Sequence, residues 1–442
     1  MNRVLIVSLN FPPSTIASVH RARHLAKYLP AHGWQPRILT IDERFHKEPP
    51  DPGLAALVPA DVDLVRLGAL PYSATRWLGI GDLALRSLVP LKRALDQHCA
   101  TFKPHVILIT GWPFYEMLLT RHLRQRFGVP VVLDFQDPWV SAEGATRPRL
   151  SKGGLAHLLA RTLEPYAVRP AAWITSVSDT QNAEMAARYP WLDGTRMTGI
   201  PIGGDPEDFD ALRVAPPEGS TIRLDPAMLN ICYVGTFLPR AGEVVRALFK
   251  GAALFRAEHP ELAVRVRFVF VGTSNQPAGA AVVSFSDGPS SHRVMPIAAH
   301  EGVADMVEEH PPRVPYLEAL ALQANDHAVL MLGSDEPHYT ASKIYPGMMS
   351  GRPFLSIFHE ASSAHRILSE AGGGVALGFA DLAQLAEQPH AIAQALERLV
   401  TAPQSLGAVD PQAYATVTAE AVSQRFAAVF EAARQGAAGQ AQ

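Results

Sequence analysis

The stretch most suggestive of chemistry is Ala341-Ser342-Lys343-Ile344-Tyr345-Pro346-Gly347, continued by Ser350-Gly351-Arg352-Pro353. Ser342 is expected to cap a short helix, with Lys343 in its first turn. A lysine there opposes the helix dipole at a cost of up to ~1 kcal/mol, which an anion held between them would offset. The bland alternative is a solvated lysine. A second stretch, Tyr233-Val234-Gly235-Thr236-Phe237, ends an apolar run. Gly235 would let a ligand reach the backbone, whose N–H groups can bind phosphate oxygens. Arg240 follows and could pair with a diphosphate. A strand-ending glycine is also common for purely structural reasons.

Two more stretches carry charge behind an apolar run. Asp134-Phe135-Gln136-Asp137-Pro138-Trp139 puts two carboxylates beside an aromatic, a polar floor for a sugar hydroxyl or an acid/base. Its alternative is a capping Asp with Trp139 in the core. Asn10-Phe11-Pro12-Pro13-Ser14-Thr15-Ile16-Ala17-Ser18 leads into a helix bearing His20, Arg21 and Arg23. A helix start flanked by cations suits an anionic group; a turn before a solvated basic face is the alternative.

Other chemistries are excluded by pattern. No G-x-G-x-x-G, G-x-x-x-x-G-K-[ST] or G-x-S-x-G is present. The 17 His show no H-E-x-x-H or comparable spacing, so neither a metal nor another cofactor is expected. Only Cys99 and Cys232 occur, which argues against a disulfide framework and for a reducing cytoplasm. The opening Val4–Leu9 run is too short for a signal core, and no run reaches the ~20 apolar residues of a membrane span.

The elements that must position these stretches alternate regularly. Buried strands are expected at Val4–Leu9, Arg37–Ile41, Val62–Leu67, Val106–Thr110 and Val129–Phe135. Helices are expected at Ser18–His32, Ser73–His98 and Phe114–Phe127. A second series follows the Pro/Gly-rich stretch Ala215–Gly219, with strands Leu229–Val234, Val266–Val271, Ala328–Leu332 and Phe354–Phe358 and a helix over Gly242–Glu258. Thr273–Ser291 reads as a surface loop, Pro411–Ala433 as a last amphipathic helix, and Gly436–Gln442 as a frayed tail. Apolar strands separated by helices mean parallel sheets covered on both faces. The expected fold is therefore α/β, with two Rossmann-like doubly wound domains facing across a cleft. Their bounds are drawn at 1–215 and 216–410, with a C-terminal segment 411–442 whose helix could pack back on the first domain. Ligands of such sheets bind beyond the strands' carboxyl ends.

The chain of 442 residues is 48% hydrophobic and 18% charged, enough apolar material for large cores. Its net charge of -3 makes nucleic acid an unlikely partner on electrostatic grounds. Through Arg213 there are 24 basic and 20 acidic residues, and beyond it 15 and 22. The mildly basic half could face an anionic acceptor or a membrane surface, with ordinary surface variation as the alternative. The segment Gly153–Arg169 adds Lys152, Arg161 and Arg169 beside Leu155, Leu158, Leu159 and Leu163, which reads either as a peripheral membrane helix or as a leucine face buried in the domain.

Taken in order, these motifs resemble the bacterial GT-B glycosyltransferases of family 4 type. Phe11-Pro12-Pro13, Arg21, Leu25-Ala26-Lys27-Tyr28-Leu29 and Gly33-Trp34 resemble the family's opening. Asp134–Trp139 is similar to its D-x-R-D-P-W variant, with Gln136 for Arg, and Ser176-Val177-Ser178 to its V-S segment. Ile200–Phe209 is similar to its linker. Tyr233–Thr236, Val269-Phe270-Val271-Gly272, Lys343-Ile344-Tyr345 and Ser350–Pro353 are similar to its donor domain.

The resemblance implies a retaining, metal-independent transferase with a nucleotide-sugar donor on the C-terminal half and a glycan or lipid-linked acceptor against the N-terminal half. It implies a role in cell-surface polysaccharide synthesis, in the cytoplasm or at the inner face of the membrane. Gly235, Thr236, Arg240, Gly272, Ser342, Lys343, Ile344 and Tyr345 would bind donor; Asp134, Asp137, His20 and Arg21 would line the catalytic side. Two departures stand out. Thr15–Ser18 replaces the family's glycine pair, and its paired glutamates would fall at His338 and Pro346, leaving ribose recognition unassigned. A nucleotide-sugar epimerase and a non-catalytic homologue are the alternative readings.

Overall fold

A computed structural model of the chain describes residues 1–217, 219–238, 240–274, 291–337, 339 and 341–439. It divides into two compact units, Met1–Ile202 with Ala419–Gln442, and Gly203–Thr418. The Pro/Gly-rich stretch 215–219 thus lies inside the second unit. Most of the loop expected over Thr273–Ser291 lies outside the described residues.

The first unit is one seven-stranded, all-parallel sheet. Its strands are β1 (Asn2–Val7), β2 (Trp34–Ile41), β3 (Leu64–Leu67), β4 (Val106–Thr110), β5 (Val131–Phe135), β6 (Trp173–Ser176) and β7 (Met197–Gly199). Their order is β3-β2-β1-β4-β5-β6-β7. Alternation sorts β1 between two cores: Leu5 and Val7 point into one, Val4 and Ile6 into the other. The C-terminal helix Ala419–Gly439 closes the second of these with Val422, Phe426 and Phe430, and Phe430 meets Trp34 edge-on at 5.3 Å.

The second unit repeats the plan with β8 (Leu229–Val234), β9 (Val266–Val271), β10 (Val307–His310), β11 (Ala328–Leu332), β12 (Phe354–His359) and β13 (Gly374–Phe379). The order is β10-β9-β8-β11-β12-β13, again parallel throughout. In each sheet the strand order reverses at one place, between β1 and β4 and between β8 and β11. Those are the switch points beyond which ligands of such sheets bind.

Four strands were not expected. β6 and β7 are only four and three residues long. The edge strand β10 reads Val-Glu-Glu-His, and the other edge, β13, starts on Gly374. Short or edge strands need no continuous apolar run, so their signal is weak. The first helix is also shorter than expected. It runs Val19–Tyr28, passes into a 3-10 turn Leu29–His32, and stops at Gly33, whose φ of +81° a side-chain-bearing residue resists. Ser73–His98 proves to be a short helix Tyr72–Thr75 and a long one, Leu83–Thr101, capped by Asp82. The final helical stretch splits into Pro411–Ala415 and Ala419–Gly439; the helix takes in residues 436–439 of the expected tail, and 440–442 lie outside the described residues.

Candidate functional site

In the second unit the residues after β8 and β11 converge at the switch point. Gly235 follows β8, and its N–H donates to the Val271 carbonyl at 2.7 Å. Lys343 comes from the segment beyond β11 and lays its side chain across Gly235. A Cβ on Gly235 would sit 1.9 Å from Lys343 Nζ, so only glycine leaves room for this lysine. The ammonium lies 5.3 Å from the Tyr233 ring centre and makes one weak contact, 3.5 Å, to the Thr236 carbonyl. Tyr233 Oη donates to that same carbonyl at 2.9 Å, fixing the loop from below. No carboxylate pairs with Lys343 among the described residues. Burial, reinforced by the Arg313 charge, brings its pKa down to about 7.

Gly272, after β9, takes φ +79°, and a Cβ there would come within 3.8 Å of Arg313 Cα. Next to it the buried Glu309 is fully engaged. It accepts from Thr273 Oγ1 at 2.5 Å and from the N–H groups of Arg293, Val294 and Met295 at 2.9, 3.0 and 2.9 Å. This carboxylate anchors a helix start and stays out of the cation pair. Arg313 was missed in the sequence because it follows β10, the strand with the weakest apolar signal.

The other donor-side residues fall into place differently. Arg240 makes a bidentate pair with Asp335, 2.6 and 2.9 Å, with Glu336 at 3.5 Å, so its charge is answered by protein. The helix expected to begin at Ser342 begins at Ile344, with Lys343 at the cap position and no side-chain cap. Ser342 is therefore not the cap. The dipole argument for Lys343 gives way to burial as the source of its unusual state. Ile344 and Tyr345 are fully buried, and Tyr345 Cβ would lie 2.8 Å from a Cβ on Gly204. Their side chains are packed in the interior of the second unit. Pro346 is partly buried, while His338 lies outside the described residues.

In the first unit Arg21 and Asp134 are both fully buried and joined, Nε to Oδ2, at 3.1 Å. Asp134 also accepts from Thr110 Oγ1, and from Thr175 Oγ1 at 2.7 Å. Arg21 donates to the carbonyls of Pro201 and Ile200 at 2.6 and 2.7 Å and stacks 4.8 Å from the Phe426 ring. Every direction of this pair is taken by protein. It ties the first helix, β4, β5, β6 and the C-terminal helix together, and neither member reaches solvent. That placement suits architecture better than the catalytic role expected from sequence.

The rim above it is the open polar region. Asp137 is exposed and His20 half-buried, 3.4 Å from Arg23. Ser18 stands at the helix start without capping it, and its Oγ, the Ser14 Oγ and the Asn10 Oδ1 are buried with no hydrogen-bond partner. Buried polar atoms are rarely left so, and a ligand hydroxyl would satisfy them. Gly111, at φ +110°, faces Ser18 across this loop, and Gln136 donates to Thr110 Oγ1 at 3.1 Å. Among the described residues, no cluster of three His, Cys, Asp or Glu could hold a metal ion.

Residues 18–203 match the family described as glycosyl transferase 4-like domain. No curated protein matches the chain. Among solved structures, sucrose-phosphate synthase from Thermosynechococcus elongatus is similar at 17% identity and a TM-score of 0.56, covering 100% of this chain and 98% of that one. Anabaena HepE, in complex with UDP and glucose, is similar at 13% identity and 0.58, covering 98% and 100%. The N-terminal domain of Candida albicans trehalose-6-phosphate phosphatase is similar at 15% and 0.64, covering 98% and 97%. The two parallel sheets and these likenesses establish the two-domain α/β fold of GT-B type, and the domain match supports a glycosyltransferase.

Proposed function

We propose that this protein is a retaining, metal-independent glycosyltransferase that moves a sugar from a nucleotide-sugar donor to a glycan or lipid-linked acceptor in cell-surface polysaccharide synthesis. The observation that carries the proposal is Lys343, a partly buried cation at the β8/β11 switch point, laid over a glycine and with no carboxylate beside it among the described residues. The donor's diphosphate would take that place, held by Lys343 and Arg313, with Gly235, Thr236 and Gly272 allowing close approach. In the reaction the bond from the anomeric carbon to the diphosphate breaks and one to the acceptor oxygen forms. The acceptor's proton passes to the departing diphosphate. Lys343 and Arg313 would stabilise the charge growing there. The acceptor would lie on the Ser14, Ser18 and Asp137 rim, and the enzyme would work in the cytoplasm, where its donor is available.

The UDP bound to HepE makes UDP-sugars the first donors to test. Thermal-shift screening against UDP, GDP, CMP and dTDP and their sugars should show one base stabilising the protein, and Lys343→Ala should abolish that shift. Equal response of wild type and variant would overturn the assignment. A non-catalytic homologue is the second reading, motivated by Pro346 where the family resemblance expects a ribose-binding glutamate. It predicts nucleotide binding without transfer from any donor. A nucleotide-sugar epimerase would instead convert donor with no acceptor present.

A further inference from the structure

The helix Lys152–Val168 packs on the first unit in an inverted sense. The residues it buries are small or polar: Gly154, Ala160, Glu164, Ala167 and Val168. The large apolar ones face out. Leu155, Leu158 and Leu159 are 54, 45 and 45% exposed, and Leu150, on the turn before, is 92% exposed. Positions 155, 158, 159 and 166 fall on one helical stripe, so the three leucines and the half-exposed Tyr166 form a single ridge. A helix kept only for packing would turn that ridge inward.

The exposed charge along the segment itself has one sign. Residues 147–169 hold five basic side chains, Arg147, Arg149, Lys152, Arg161 and Arg169, all exposed, and one acidic one. That acid, Glu164, is buried, accepting from the Val140 N–H and from Arg188, both at 3.0 Å. The Arg121 guanidinium adds a further cation 4.7 Å from the Tyr166 ring. No helix among the described residues is long and apolar enough to cross a membrane. We propose that this face docks on an anionic lipid bilayer, the leucines entering the headgroup–acyl boundary and the cations resting on lipid phosphates. A leucine ridge flanked by exposed cations is the pattern of a helix lying in a membrane interface. Vesicle binding requires no donor, so this proposal stands or falls apart from the sugar-transfer reading.

The test is flotation of the full chain with vesicles of phosphatidylcholine alone, and of phosphatidylcholine with about one-third phosphatidylglycerol. The protein should float with the anionic vesicles and stay behind with the neutral ones, and high salt should weaken the binding. The triple variant Leu155→Ser, Leu158→Ser, Leu159→Ser should bind about tenfold less or weaker still, with an unchanged circular dichroism spectrum, because these side chains are exposed. The pair Arg149→Glu, Lys152→Glu should weaken binding comparably without touching the leucines. Failure of the wild type to float, or equal flotation of the triple variant, overturns the proposal. So does a wild-type dimer by light scattering that the triple variant loses while neither binds vesicles, since a second copy would then own the ridge.

Discussion

Arg21, on the helix after β1, and Lys343, beyond β11, are both cations set behind a switch-point strand, yet their surroundings are opposite. Arg21 has a carboxylate, two carbonyls and an aromatic face, and is sealed from water. Lys343 has one long contact to a carbonyl, the Tyr233 ring at 5.3 Å and an arginine for a neighbour, but no carboxylate among the described residues. A buried cation answered at each of its three nitrogens belongs to the fold. One held over a glycine, with only a distant carbonyl and a ring face and no carboxylate among the described residues, is where the proposed diphosphate would sit. Asp134 makes the difference: the first unit supplies the anion itself, and the second leaves that place open.

Removing the answered cation should do the greater damage. Arg21→Met leaves Asp134 buried and unpaired, and a loss of about 3–5 kcal/mol is expected in denaturant unfolding of the first unit. The variant that still folds should bind donor nucleotide as before; weakened binding there would blur the contrast between the two cations. Lys343→Met should act the other way round. Nucleotide-sugar turnover should fall by roughly 10²–10³-fold, while thermal stability is kept or raised. Gly235→Ala should mimic it, since the new methyl displaces the ammonium, with a loss of about tenfold or more in nucleotide affinity.

The smallest effect is with pH. In the free protein Lys343 gives up its proton near pH 7, and a bound diphosphate would raise that value. Between the two values binding takes up a proton. Nucleotide affinity should therefore fall as pH rises above about 7, by at most about tenfold per unit, a slope calorimetry in buffers of different ionisation enthalpy can read. Stability runs in the opposite direction. The unfolded chain holds this proton up to its ordinary 10.5, so the lysine's contribution to stability grows as pH climbs from about 7 toward 10.5. A flat affinity profile would mean that Lys343 stays charged and is answered after all.

The strands at and beside both switch points were legible because they are mostly apolar and largely buried: β4, β8, β9 and β11 have their expected bounds, with Asn230 and Arg267 the interruptions in β8 and β9. The glycine after β8 and the lysine after β11 were legible too, although that they touch was not, because 108 residues separate Gly235 from Lys343. Arg21 and Asp134 looked like chemistry because polar residues beside a strand end do so whether they are buried or bare. Only the positions of Thr110, Thr175 and the Ile200 and Pro201 carbonyls reveal that both are used up. Arg313 was hidden behind β10, whose two glutamates mask a strand.

The helix Ala419–Gly439 has a consequence for how the chain is born. Phe426 and Phe430 complete an apolar face that Val4, Ile6 and Trp34 lay down at the outset. The whole second unit, Gly203–Thr418, emerges from the ribosome before that helix does. The unit begun first is thus finished last, and its sheet waits with one side uncovered while its neighbour matures. A ribosome halting near Thr418 would release a chain with a complete second unit beside a first one unable to close. Synthesis rate, as much as sequence, then governs how long that open side is exposed to aggregation.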